Sequence, residues 1–254
     1  IYDVATDTTS NLTVTSGTLQ RAVTIANNPD RLLLEICNAN GTSCAAYLKN
    51  IITAQELKVS DDYDPEFLEL NYSPIYADSS QMYFKLTKYD TNKTRYIVWA
   101  SFTGQYKQLF TTEPSTNVIY SMSFSADGNT FMYQSHAYIG ATDREKIGLW
   151  KVGDEAPLEV FIGDSSHLGS VKLTPVGKYG FYALDNFNYS VHVTDMSGNT
   201  KTLESGINRY IVSSDSAGII MGKGNSIIAY DINPNVAGIN AVTKVKTITT
   251  TFPL

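Results

Sequence analysis

The chain has 254 residues, with 19 Lys and Arg against 25 Asp and Glu, a formal charge of −6 and a pI near 5.0. Nucleic-acid binding draws on clustered Lys and Arg that neutralise phosphates, and no basic run here exceeds two residues, so a nucleic-acid partner and an anionic membrane surface are both disfavoured. A hydrophobic content of 43%, with 17 Tyr and 10 Phe, is ample for a core, while no stretch approaches the ~20 apolar residues of a membrane helix. The expectation is an ordered chain without membrane insertion.

The chain opens on Ile1-Tyr2-Asp3, inside what reads as a strand, and a shorter polar strand, LTVTS (12–16), follows. From there one unit returns five times. Its first strand, a, reads AVTIA (22–26), LELNY (68–72), YSMSF (120–124), SVKLT (170–174) and RYIVS (209–213). A polar turn comes next, at Asn28-Pro29-Asp30-Arg31, Tyr76-Ala77-Asp78-Ser79, Ser125-Ala126-Asp127-Gly128, Thr174-Pro175-Val176-Gly177 and Ser214-Asp215-Ser216. Anchored at 30, 78, 127, 176 and 215, these turns are spaced by 48, 49, 49 and 39 residues.

Strand b follows each turn as an apolar run: LLLEI (32–36), MYFKL (82–86), TFMYQ (130–134), GFYAL (180–184) and GIIMG (218–222). Strand c carries a triplet whose last residue falls at 49, 100, 151, 195 and 231, matching the Asp3 of the opening triplet. Strand d is shorter and more polar, as in ELKVS (56–60), YKQLF (106–110), PLEVF (157–161), KTLES (201–205) and KVKTI (244–248). No segment has a 3.6-residue period. Four strands per 39–51 residues make the blade of a β-propeller, in which stacked sheets cover one another's faces. A β-sandwich is the structural rival, but it does not bring the same turn back at one period.

The expected fold is therefore an all-β propeller of four-stranded antiparallel blades in a single domain, 1–254. Residues 1–17 would supply strands c and d of an incomplete blade, and 18–62, 63–113, 114–163, 164–205 and 206–254 the successive blades. Upstream residues would complete the first, giving six.

Ser125-Ala126-Asp127-Gly128-Asn129 and Ser73-Pro74-Ile75-Tyr76-Ala77-Asp78-Ser79 resemble the Ser-Pro-Asp-Gly-Lys turn of TolB-like and WD40-like propeller repeats. Val193-Thr194-Asp195-Met196-Ser197-Gly198-Asn199 resembles the strand c to d connection of the same repeats. The Gly-His and Trp-Asp marks of WD40 blades are missing. The resemblance implies a partner-binding role in the cell envelope or outside the cell.

Few residues suggest chemistry. The histidines, at 136, 167 and 192, are scattered, so no zinc set is expected. His192 alternates with apolar neighbours in YSVHVT and reads as a strand histidine with a satisfied hydrogen bond. Gly163-Asp164-Ser165 looks like the block of SGNH hydrolases but lacks their α/β context. No catalytic residue and no cofactor are expected. The acidic run 61–66 could offer oxygens to Ca²⁺ or attract a basic partner, the alternative being a solvated loop.

In a propeller the b–c and d–a connections share the face around the channel mouth. That brings together the acidic run with Asp61, Asp62 and Asp64, the 88–95 loop with Tyr89, a long b–c loop over 136–146 with Tyr138, Asp143 and Arg144, the 163–169 loop with His167, and Asn186. A second long loop, 233–243, separates c from d in the last blade. The leading expectation is a non-catalytic scaffold that takes a protein or peptide through this mouth, in a periplasmic, cell-surface or secreted location. The alternatives are the propeller domain of a larger peptidase, lyase or glycosidase, with Glu69, Tyr120 and Tyr210 on strand a, or a surface adhesin module.

Cys37 and Cys44 flank an Asn/Gly/Ser/Thr turn between two apolar runs, a spacing that fits neither a CxxC motif nor a zinc pattern. A hairpin there would bring them within bridging distance, and the alternative is a pair of reduced thiols. A bridge over so short a loop is worth about 2 kcal/mol. Intact mass after alkylation under denaturing conditions, with and without reductant, should show both thiols blocked until reduced. Two freely alkylated thiols in protein from its native compartment would remove the bridge.

Overall fold

β-Branched and aromatic runs broken by Gly, Pro, Asn and Asp turns fold as antiparallel meanders because each apolar face must find another to cover it. The computed structural model describes residues 2–3, 8–9, 12–15, 17–25, 27–63, 68–70, 76–88, 95–109, 118–139, 142–164, 171–184 and 189–249. β1 (Tyr2–Asp3) and β2 (Thr8–Thr9) form a two-stranded sheet, followed by β3 (Thr18–Ile25), β4 (Asn28–Cys37), β5 (Cys44–Asn50) and β6 (Glu56–Lys58) as the first four-stranded meander. The next contains β7 (Leu68–Leu70), β8 (Tyr76–Ala77), β9 (Gln81–Lys88), β10 (Arg95–Ser101) and β11 (Tyr106–Gln108), with β7 and β8 both paired to β9. Strand a is thus laid down in two pieces.

Three more meanders complete the series. They are β12 (Val118–Phe124), β13 (Thr130–Ile139), β14 (Thr142–Lys151) and β15 (Leu158–Asp164); β16 (Lys172–Leu173), β17 (Tyr179–Leu184), β18 (Ser190–Asp195) and β19 (Thr200–Ser205); and β20 (Arg209–Val212), β21 (Gly218–Lys223), β22 (Ser226–Ile232) and β23 (Val242–Thr249). A 3-10 helix, η1 (Gly238–Ala241), precedes β23. Each meander runs a-b-c-d with neighbours in sequence paired in space, so these are the blades of a β-propeller. The chain divides into two compact units, Ile1–Thr111 with the first two blades and Thr112–Leu254 with the other three.

Strands b and c form the core. β17 is buried along its whole length, whereas β23 is buried only at its first residue. Blades pack face to face: Leu33 and Leu48 of the first blade join Met82, Phe84 and Val98 of the second in one cluster. Within the second unit, Met132 and Leu149 pack with Tyr182 and Leu184, and Phe181 and Val193 with Ile219 and Ile228.

The structure departs from the sequence reading in three places. Asn28-Pro29-Asp30-Arg31 is not the first turn, because β4 already begins at Asn28 and the reversal is made by Asn27 in the left-handed region at φ 62°. Asn tolerates that conformation, and Pro29 falls where the register jumps between Ile25↔Asn28 and Thr24↔Leu32, so its missing N–H breaks no ladder. LTVTS is not a strand over its described residues; Leu12 and Val14 instead lie against Leu32, Leu34 and Ile36 of the first blade, and Thr15 bonds the Glu56 carboxylate. The supposed 136–146 loop is largely ladder. Pairing runs unbroken from Thr130↔Lys151 to Ile139↔Thr142 and leaves only 140–141 between the strands.

The a–b turns repeat to the atom. Ser125, Thr174 and Ser213 each take a main-chain bond from the residue three on and donate their own N–H to the carbonyl five on. Their hydroxyls bond the same residues, Thr130, Tyr179 and Gly218. The fourth turn position is left-handed in all three, at Gly128 (φ 65°), Gly177 (φ 71°) and Ser216 (φ 61°). Adjacent turns are also tied: Ala126 N donates to Pro175 O at 2.7 Å, and Val176 N to Ser216 Oγ at 3.1 Å. In the first unit, Asn28 Nδ2 donates to Asp78 O at 2.6 Å in the corresponding place.

A Cβ on Gly177 would also meet Ser125 Cβ and Thr130 Oγ1 of the preceding blade at 3.1 Å. Gly177→Ala should therefore lower stability by about 1–2 kcal/mol, from the left-handed backbone alone. The effect should read as a lower urea midpoint at unchanged slope. Lys178→Ala, at the exposed position beside it, should leave the midpoint in place.

Candidate functional site

One rim of the first blade carries a cavity of about 480 Å³, lined among others by Gly17, Ile36, the Cys37–Cys44 pair, Asn38, Tyr47 and Asp62. Cys37 and Cys44 are the last pair of the β4–β5 ladder, with Cα atoms 3.8 Å apart, and they are disulfide-bonded. Beyond them the loop is held by Asn38, whose N–H donates to Ser43 O at 2.8 Å and whose Oδ1 accepts the Thr42 N–H at 2.9 Å. This short loop is a rigid b–c connection.

The chain leaving strand d is pinned to the same place. Cys44 and Tyr63 exchange main-chain hydrogen bonds of 2.7 and 2.8 Å, and the buried Tyr63 hydroxyl donates to the buried Glu35 carboxylate at 2.7 Å. Burial, and next the hydrogen bond to Glu35, push the Tyr63 phenol well up, so it remains a donor at any physiological pH. Asp61 accepts the Tyr106 hydroxyl at 2.9 Å, and Asp62 pairs with Lys58 at 2.8 Å. The bond to Asp62 raises the Lys58 ammonium, burial opposing. Both side chains of that pair are well exposed, so it orients Asp62 and adds less than about 1 kcal/mol of stability.

Three more of the residues expected at the mouth lie among the described residues. Tyr138 and Asp143 are Cα partners near the tip of the β13–β14 hairpin, and Arg144 is exposed on β14, opposite Ala137. These three belong to the second unit, whereas Asp61 and Asp62 belong to the first. Asp64, Tyr89, His167 and Asn186 lie outside the described residues. Tyr210 donates its hydroxyl to Phe181 O at 3.2 Å and is a packing residue. His192 stacks on Tyr182 with ring centroids 5.1 Å apart, its Nε2 2.9 Å from Ser190 Oγ and its Nδ1 3.2 Å from Thr202 Oγ1. Burial depresses its pKa, and it serves as the satisfied strand histidine expected.

Sequence reasoning did not place a second cavity, a groove of about 580 Å³ in the second unit. Turns of the fourth blade and the c–d connection of the fifth enclose it, with Val176, Tyr179, Met196 and Val236 among its walls and Asp195 and Asp215 on its lining. The long 233–243 segment was the available signal. Among the described residues, no group of three or more His, Cys, Asp or Glu is placed to hold a metal ion, and no helix is long and apolar enough to cross a membrane.

No family model matches the chain, and no curated protein matches it either. Solved structures similar to it are propellers. Dipeptidyl peptidase 4 of Porphyromonas gingivalis matches at 15% identity over 91% of this chain and 40% of that one, with a TM-score of 0.52. TolB from Acinetobacter baumannii matches at 15% over 93% and 55%, with a TM-score of 0.39, and the Dos1 propeller at 12% over 92% and 61%, with a TM-score of 0.48. The chain spans less than two thirds of the length of each. Identity at this level speaks to the fold alone, which is a β-propeller.

Tyr63→Phe should leave the buried Glu35 carboxylate without its hydroxyl donor and cost about 1–3 kcal/mol. Hydrogen exchange should locate the loss at Cys44 and its neighbours on the rim. An unchanged stability would mean that water or another donor replaces the phenol at no cost.

Proposed function

We propose that this chain is a non-catalytic binding scaffold outside the cytoplasm that recognises a protein or peptide through the rim formed by b–c and d–a connections. The observation that carries the reading is the cavity at the first blade's rim, where a disulfide-closed b–c loop and a pinned d–a segment meet around Asp62. A loop already held in one shape loses little entropy when a partner docks, which favours recognition over adaptability. The bridge itself supports an oxidising compartment. An acidic, partly solvated lip favours a partner with basic residues at its edge.

The test is to isolate a partner by cross-linking from the native compartment and to measure its affinity for purified protein by calorimetry. Replacing Asp61 and Asp62 together by Ala should weaken that affinity at least tenfold. An unchanged affinity would mean the rim is the wrong surface. A second reading, the propeller domain of a larger peptidase, takes its support from the fold likeness to the P. gingivalis dipeptidyl peptidase 4. A hydrolase domain encoded in the same gene would favour it over the scaffold.

A further inference from the structure

The groove of the second unit belongs to the opposite set of connections, a–b and c–d. In the first four blades strand c reaches strand d through residues 51–55, 102–105, 152–157 and 196–199, and in the fifth through 233–241, nine residues against four to six. The extra length is a built wall. Asn233 N donates to Ala241 O at 2.9 Å, and Ala241 and Val242 are wholly buried, so both feet of the arch are fixed. Gly238 sits at φ 65°, where an added Cβ would come within 3.2 Å of Asp195 Oδ2. Gly238 thus takes the left-handed backbone without strain and leaves the arch close to that carboxylate.

The groove beneath is apolar in its walls and acidic in its lining. Val176 and Val236 remain 59% and 40% exposed on segments from two blades, the fourth blade's a–b turn and the arch. Asp195 is nearly buried; its Oδ1 accepts the N–H groups of Ser197 and Asn199, while its Oδ2 takes the Asn199 amide at 3.0 Å beside Gly238. Asp215 stands in open solvent, and its bond from Ala217 N holds the carboxyl below the usual range. Against these two carboxylates the lining sets only Lys178, so its balance is negative. The volume suits one large side chain with its flanking backbone.

We propose that this groove is a second docking site, distinct from the rim, which takes an extended segment of a protein partner through an apolar side chain followed by a basic one. The apolar side chain covers Val176, Met196 and Val236, and the cation meets Asp215 with Asp195 behind it. The charge pattern selects a basic neighbour, since an acidic one would face two carboxylates. The site stands independently of the rim reading.

The test uses labelled hexapeptides of Ala with Leu, Ile, Met or Phe at the third position and either Arg or Glu at the fourth, titrated by fluorescence anisotropy and mapped by ¹⁵N chemical shifts. At least one Arg peptide should bind, its Glu counterpart at least tenfold more weakly. The perturbed amides should be those of Val176, Met196, Val236 and Gly238. Val236→Asp should abolish binding, and Asp215→Lys should erase or invert the Arg preference, with circular dichroism confirming that both variants keep the fold. Absence of binding by every peptide, equal affinity for Arg and Glu, or shifts confined to the rim would each overturn the groove; the last would strengthen the rim reading instead. Concentration-dependent shifts at the same amides without peptide would make the occupant a second copy of this chain and equally overturn the proposal.

Discussion

Everything in this molecule follows from the need of a small twisted sheet to cover two apolar faces at once. Strands b and c are apolar on both sides, and in each unit one blade's side chains are buried by the next, as Phe84 is among first-blade leucines and Phe181 among the isoleucines of the fifth blade. Burial by itself is non-directional and would allow sliding. The a–b turns remove that freedom. A hydrogen bond from one turn to the next sets the spacing, and the left-handed residue at the fourth position lets adjacent turns approach closely enough to make it.

With the blades fastened at the a–b end, the connections become the free variable. At the b–c and d–a end the first blade spends its loop on rigidity, with a disulfide, an Asn38 bracket and a buried Tyr63–Glu35 bond acting on one short stretch of rim. At the a–b and c–d end the fifth blade spends its loop on length, and the arch over Asp195 turns an ordinary inter-blade crevice into a groove. Neither feature disturbs the ladder beneath it, because a blade's pairing is complete before its connections are drawn.

Much of this was readable from residue order. The recurrence of the Ser-Ala-Asp-Gly type of turn, the apolar b and c runs and the polar d strands pointed to a propeller, while the Cys37 and Cys44 spacing left a bridge and a pair of reduced thiols both open until the hairpin paired them. Two of the three departures share one cause. Polar residues read as loop, yet 136–139 and 142–146 continue a ladder, because backbone pairing asks only for an extended chain. Asn28 and Asp30 look like turn residues, but Asn27 had already made the reversal.

What the sequence determined by itself is therefore the repeat: period, strand order and which strands are buried are written in local composition, since alternation and turn chemistry act over a few residues. What only the tertiary structure decided is which distant residues meet. That Asp62 shares a cavity with the Cys37–Cys44 bridge, that Tyr63 reaches Glu35, and that Gly238 closes over Asp195 depend on how connections cross between strands and blades. Those encounters leave no local trace, because a Gly, a Tyr or an Asp is chosen there for the space and charge of a neighbour many residues away.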